Sequence, residues 1–361
     1  MISRSGEKRG LSAAKAMVPA LAAAALFGAS PPLSKLLLAE AAPLWAASLL
    51  YLGAGLGLML WRVTRRPSPA SGVREASLRK KDWGYLAGAI GCGGVLAPFL
   101  LMAGLGVTQA SAASLLLNLE VVFTALLAWL FFREGFEGRV ALGMALVVLG
   151  CAVLSLPEKF ALGPLTGPLL IAGACLSWAL DNNLTRALSE RDPTQVAMAK
   201  GLAGGAVTAL MSVLMGIPLP GLGAVGGFLL LGALAYGLSL VLFIVSLRAV
   251  GTVRTGMGFA LAPFVGAALS FGLLGDRLSL GFSVGIVIVA LGLYFTLAGS
   301  HLHEHLHEAT VHDHAHVHDE HHRHEHEKGS SQREPHAHPH EHEVLRHAHP
   351  HYPDSHHRHS H

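Results

Sequence analysis

Long apolar runs follow one another through the first 300 positions, separated by short polar stretches. They show neither the alternation of a half-buried strand nor the polar face of a surface helix. A helix crossing the hydrocarbon of a bilayer needs about 20 apolar residues. Ten stretches approach that length: 14–38, 43–61, 83–105, 111–132, 139–156, 164–188, 195–216, 222–247, 254–274 and 279–299. Most consist of Leu, Ala, Gly and Val, which suits helices packed closely in lipid better than barrel strands. The pattern predicts an all-α integral membrane protein with ten transmembrane helices. Arg4, Lys8, Arg9 and Lys15 ahead of the Ala-rich first run imitate a signal peptide, but nine further runs favour an uncleaved first helix.

The basic residues orient the spans, because Lys and Arg are retained on the cytoplasmic side. With the N-terminus inside, the inner segments carry 17 of them, including Arg62, Arg65, Arg66, Arg74, Arg79, Lys80, Lys81, Arg186 and Arg191. The outer segments carry Lys35, Lys159 and Arg277, and Lys200 lies within a span. Ten crossings return the C-terminus to the cytoplasm, so a bacterial-type inner membrane with both termini inside is expected.

Composition then divides the chain. Of 361 residues 52% are hydrophobic and 14% charged, too few charges for a soluble enzyme, and all 23 His fall in the last 61 positions. Residues 1–300 carry a net charge of +9 and residues 301–361 a net −6 with His neutral, so the mild overall basicity is an average of opposites. No basic groove with interleaved aromatics exists, which sets nucleic acid aside as a partner. Cys92, Cys151 and Cys175 lie in spans without CxxC spacing, so neither a disulfide framework nor a thiolate metal site is indicated.

In the tail, three stretches alternate histidine with another residue: His301, His303, His305 and His307; His312, His314, His316 and His318; His336, His338, His340 and His342. Alternate positions share a face in an extended chain, and neutral imidazole suits Zn, Ni, Co and Cu ions. Asp313, Asp319 and Glu320 offer oxygen ligands beside them. With few large apolar residues the tail is expected to be disordered without metal. A plainer reading is a pH-sensitive polyelectrolyte, since full protonation would take its formal charge from −6 to +17.

The chain also resembles itself. At an offset of 142, residues 84–152 align without gaps to 226–294, pairing Gly84 with Gly226, Leu105 with Leu247, Ala125 with Ala267, Gly143 with Gly285, Leu149-Gly150 with Leu291-Gly292, and Glu134 with Asp276. The opening helices align at a slightly larger offset, Pro43 on Pro193 and Gly55 on Gly205. Five is odd, so the second half must enter the membrane upside down, an inverted repeat of the kind secondary transporters use. The segments LEVVFTALLAWLFFRE at 119–134 and APFVGAALSFGLLGD at 262–276, each followed by a Gly-containing helix, resemble the drug/metabolite transporter superfamily, EamA type. The resemblance covers residues 14–299 and implies transport, without identifying a solute. It departs from the family pattern at Val121, where a Pro is usual, leaving the first half without the proline kink that Pro263 gives the second. It departs again at Leu50 or Tyr51, where Arg is frequent, and at Lys200, which takes the matching place in the second half.

Charges inside the spans mark candidate chemistry. Glu120 sits mid-span, where a carboxylate costs about 2.5–3.5 kcal/mol on insertion scales. Thr124 shares its face one turn on, so the two suit a cation or proton site; a hydrogen-bonded Glu locking two helices is the plainer alternative. Asp181, Asn182 and Asn183 form a polar run, and Lys200 lies at a similar depth, about 8–10 Å from the same membrane face. A structural ion pair, a snorkelling lysine and a gate all fit that pairing. Pro31-Pro32, Pro98 and Pro263 are candidate hinges.

The expected organisation is a cytosolic segment 1–13, five-helix repeats at 14–156 and 164–299 joined by 157–163, and a His-rich tail at 300–361. The expected function is alternating-access export of a transition-metal ion or a metal-responsive small solute, with a bilayer as surroundings, no required cofactor and a homodimer open as its assembly. A metabolite or amino-acid exporter with a metal-buffering tail is the alternative, and a membrane-bound metal sensor or store is another. No nucleotide loop or nucleophile elbow appears in the spans, so no enzyme activity is expected.

Overall fold

The computed structural model describes residues 17–64, 79, 82–132, 138–156, 165–188, 191–276 and 278–297, together with the backbone of four tail segments. The cytosolic segment 1–13, the linker 157–163, Glu134, His318 and several of the loop cations lie outside the described residues. Along the chain the helices are Met17–Leu37 (α1), Pro43–Thr64 (α2), Trp83–Val107 (α3), Ala110–Phe131 (α4), Gly138–Leu154 (α5), Thr166–Arg186 (α6), Pro193–Leu214 (α7), Leu222–Leu247 (α8), Arg254–Leu274 (α9) and Leu280–Thr296 (α10). Seven of these, all except α5, α6 and α10, are long and apolar enough to cross a membrane by length and composition. The helices α5 and α10 are apolar but shorter, and the 21-residue α6 ends in the polar sequence Asp181-Asn182-Asn183-Leu184-Thr185-Arg186. Leu60, Leu130, Phe131, Leu214 and Leu230 are exposed, as the outer face of a bundle solvated by lipid tails requires.

Without a hydrophobic drive between helices in lipid, association depends on how closely backbones approach. Glycine supplies that approach here. On the antiparallel pair α5 and α10, Gly143 lies against Gly292 and Gly150 against Gly285. Adding 142 to the first member and subtracting it from the second turns one contact into the other. The pair α2 and α7 behaves alike: Gly55 lies against Leu202 and Gly205 against Leu52, and the 150-residue offset of the opening helices exchanges these contacts. Across α3 and α7, a Cβ on Gly204 would lie 2.5 Å from Gly94 O, which leaves no room for a side chain.

Several helices are interrupted. In α3 the turns widen to a π-helix over Ile90–Leu96, just before Pro98. In α8 the same happens over Gly232–Leu238, at the 142-residue offset and without a proline. The helix α1 breaks at Ala29, ahead of Pro31-Pro32, and α9 breaks at Ala260-Leu261, ahead of Pro263. The absence of Pro at position 121 led us to expect an unbroken α4. Instead α4 breaks at Leu117-Asn118, where Asn118 N and Glu120 N donate to carbonyls three residues back, Leu115 O and Leu117 O, both at 3.1 Å, and Asn118 Nδ2 also donates to Leu115 O at 2.8 Å. Ser246 on α8 and Thr255 on α9 are hydrogen-bonded at 3.0 Å, although nine residues of straight helix would hold them about 13.5 Å apart. The chain therefore reverses between them.

In the tail the described backbone forms strands His301–His307 (β1), Thr310–His316 (β2), His336–His342 (β3) and Leu345–His351 (β4), with β1 paired antiparallel to β4 and β2 to β3. A two-residue repeat has the period of a strand. The register sets His303 opposite His349 and His314 opposite His338. Two-stranded ribbons of this size are marginal in water on their own.

The glycine contacts predict a graded response to bulk. Gly204→Leu should lower stability in detergent by about 1–3 kcal/mol or more through overpacking. Gly272→Leu, at a position with nothing within 4 Å of the added Cβ, should leave the melting temperature nearly unchanged. Thermal melts of the two purified variants check this.

Candidate functional site

The six candidate residues fall into two connected groups on α4, α6 and α7. In the first, Asn182 Nδ2 donates to Glu120 Oε1 at 2.8 Å and to Thr124 Oγ1 at 3.3 Å. Asn183 Nδ2 donates to Thr124 O at 3.3 Å and to Ala179 O at 2.9 Å, fastening the end of α6 to α4. The helical spacing of Glu120 and Thr124 brings both oxygens to one amide. Glu120 is half-buried, and among the described residues no cation lies within ion-pairing distance of it.

In the second group Lys200 Nζ reaches both oxygens of buried Asp181, at 2.6 and 2.5 Å, and Thr185 Oγ1 donates to Oδ1 at 2.9 Å. The carboxylate leans on the π-helical segment of α3, where a Cβ on Gly93 would overlap Oδ2. Glycine at 93 thus makes the space that the ion pair occupies.

Aromatic residues complete the site, and most were not singled out from sequence. Trp178 Nε1 donates to Tyr51 Oη at 3.0 Å, Ser30 Oγ donates to Tyr236 Oη at 3.2 Å, and the two tyrosine rings lie 5.8 Å apart. Phe27 packs edge-on to Tyr236 with centroids 5.5 Å apart. Trp178, which holds Tyr51, lies one helical turn before Asn182, which holds Glu120, so the tyrosine pair and the carboxylate are joined along one face of α6. A tyrosine in the middle of an otherwise aliphatic span was the available signal, and Tyr236 sits in the second π-helical segment.

Charged contacts hold the two ends of the bundle. At the end carrying the C-terminus of α6, buried Arg191 pairs with buried Asp82 at 2.8 Å, and Arg62 pairs with Asp192 at 2.9 Å. Asp192 also caps α7 by accepting from Thr194 N and Gln195 N. At the opposite end Lys35 Nζ donates to Leu105 O at 2.8 Å and to Thr108 O. There Gly275, with φ of +67°, ends α9 in a left-handed turn that carries Asp276 to Ser111, whose N–H and hydroxyl donate to Oδ2 at 2.9 and 2.6 Å. Asp276 thereby caps α4.

The helices α4 and α9 meet near the end that carries Asp276. Near the Asp276 end, a Cβ on Gly266 would lie 2.6 Å from Gly28 O and from Ser114 Oγ. The 142-residue offset converts the pair Gly266 and Ser114 into Thr124 and Gly256. Gly256 has nothing within 4 Å of where its Cβ would be. The helix pair is packed tightly at Gly266, whereas among the described residues the space beside Gly256 is open.

A closely hydrogen-bonded ion pair in low dielectric gives a definite mutational signature. Asp181→Asn or Lys200→Met alone strands a buried charge and should destabilise by roughly 3–5 kcal/mol. The double variant should lose less than either single one, as measured by thermal unfolding in detergent.

Comparison with known proteins agrees with this architecture. A crystal structure of another protein superposes with a TM-score of 0.57 at 17% identity, covering 79% of this chain and 97% of that one, which shows a shared fold. An uncharacterized transporter of Methanothermobacter thermautotrophicus is 29% identical over 289 residues, 76% of this chain and 83% of its own length. The model of the EamA-like transporter family matches twice, over residues 14–156 and 165–298, and the chain is a multi-pass membrane protein belonging to that family.

Proposed function

We propose that the protein is an inner-membrane secondary transporter that moves a small organic solute by alternating access. Its ten helices form two inverted five-helix halves, and its substrate binds beside Glu120. The observation that carries this reading is the contrast between helix pairs. Contacts of α5 with α10 and of α2 with α7 obey the repeat, while α4 and α9 break it, closed at Gly266 and Ser114 and open at Thr124 and Gly256. Two helices related by exchange of contacts and running antiparallel have their two-fold axis across the bundle, in the membrane plane. A pair that violates this axis takes its other form when the site opens to the other side.

The basic end of the bundle, with Arg62, Arg79, Arg186 and Arg191, is the cytoplasmic face under the positive-inside rule. Glu120 is then reached from the cytoplasm in this state, and closing Thr124 onto Gly256 would seal it. Export follows as the direction from the cytosolic tail, which holds Zn, Ni, Co or Cu ions on its histidines. A transition-metal cargo is the weaker reading. Among the described residues no three His, Cys, Asp or Glu side chains are grouped to hold a metal, so the tail buffers or senses metal while the membrane site takes the solute. A homodimer is one assembly compatible with lipid-exposed α4 and α10.

Three measurements test this. In a chain with Cys92, Cys151 and Cys175 replaced, Thr124→Cys with Gly256→Cys should cross-link with a short reagent only in a conformation that excludes water-soluble thiol reagents from the cytoplasmic side. Cross-linking at the same rate in a state open to that side would refute the assignment of the gate. Glu120→Gln keeps the shape and should abolish transport driven by a proton gradient while the protein still folds. Finally, the full chain should bind several Ni or Zn ions at pH 7.5 and release them by pH 5, because protons compete for imidazole nitrogens of ordinary pKa near 6.5. A chain ending at Gly299 should not bind them, and calorimetry decides.

A further inference from the structure

Resting on the transport reading of this site, we infer that the solute is an organic ammonium ion with an apolar or aromatic body, held by Glu120 against the rings of Tyr51 and Tyr236. Asp181 and Lys200 neutralise each other through two short hydrogen bonds. Glu120 then leaves the site one negative charge in excess. Its Oε1 accepts a neutral amide hydrogen from Asn182. Such a carboxylate, half-buried in a low-dielectric wall, calls for a cation with N–H donors or a diffuse positive charge.

The surrounding chemistry narrows the cation. The faces of Tyr51 and Tyr236, 5.8 Å apart, and of Phe27 beside them attract a cation through their quadrupoles and bury alkyl or aryl carbon. Their polar tips are already engaged, Tyr51 Oη by Trp178 and Tyr236 Oη by Ser30, so they add surface rather than a further strong acceptor. A dehydrated metal ion would need four or more N, O or S ligands, and the wall offers one carboxylate with Thr124 and amides. A zwitterionic amino acid would need a cation for its carboxylate. Lys200, on the helix facing Asp181, is already spent on that carboxylate, and a competing carboxylate would have to break the pair and strand a buried charge. A monovalent amine satisfies the site without displacing any bond present.

The test uses solutes sharing one body: phenethylamine as cation, phenylalanine as zwitterion, 3-phenylpropanoate as anion, and Zn as the metal alternative. Binding to the full chain in detergent is read by calorimetry at constant pH, and flux is read in vesicles. Phenethylamine should bind more tightly than phenylalanine and 3-phenylpropanoate. Glu120→Gln should weaken it by on the order of 10- to 100-fold, as expected for a lost charge-assisted hydrogen bond. Tyr51→Leu should weaken it roughly tenfold and Tyr51→Phe less, since the ring face is kept. Melting temperatures without ligand establish that the variants are folded. Tighter binding of phenylalanine or 3-phenylpropanoate, equal affinity across the series, or no binding of phenethylamine would overturn the assignment. So would Zn binding to a chain ending at Gly299 that is lost in Glu120→Gln. Phenethylamine binding without flux would leave the amine site standing and overturn the transport reading instead.

Discussion

Hydrocarbon offers no water to a polar group, and most of the molecule's organisation answers that constraint. Backbone groups are satisfied within helices, and where a helix is broken a local partner appears, as Asn118 does for Leu115 O. The carboxylate of Asp181 is neutralised by Lys200 and hydrogen-bonded by Thr185. Glu120 differs from it, since among the described residues it is an amide, that of Asn182, that answers its charge. In a medium where charge is expensive, that difference is what the proposal of a cation beside Glu120 rests on.

Glycine does the complementary work. Because lipid tails and Leu side chains are equally apolar, helices adhere through close backbone approach, and Gly94 on Gly204, Gly143 on Gly292 and Gly150 on Gly285 provide it. These contacts join the two halves through surfaces that the repeat maps onto themselves. The same economy of side chains creates the space for chemistry at Gly93, where Asp181 is seated. The two π-helical segments, Ile90–Leu96 and Gly232–Leu238, occupy equivalent places in the two halves yet serve different ends. One supports the ion pair and the other presents Tyr236.

Charge-assisted bonds tie the helix ends on both sides of the bundle. Asp276 caps α4 through Ser111, and Lys35 binds the carbonyls that end α3, so the helix ends on that side are tied by charge-assisted bonds. At the other end Arg191 and Asp82, with Arg62 and Asp192, tie the ends of α2, α3, α6 and α7.

The sequence by itself determined the helical membrane class and the family, because hydropathy over about 20 residues is a local property and family motifs survive in a linear alignment. It also marked Glu120, Thr124, Asp181, Asn182, Asn183 and Lys200, since polar groups inside apolar spans are conspicuous. Depth along two helices sufficed to suggest that Asp181 and Lys200 meet. What the sequence did not contain was which faces turn toward one another. The junction of Asn182 with Glu120, the tyrosines 51 and 236 brought together from opposite halves, and the break in α4 without a proline depend on helix rotation and crossing, which non-local packing sets. The close approach of Gly266 to Gly28 and Ser114 is likewise invisible in one dimension, because residues far apart in the chain meet there and only the tertiary structure brings them together.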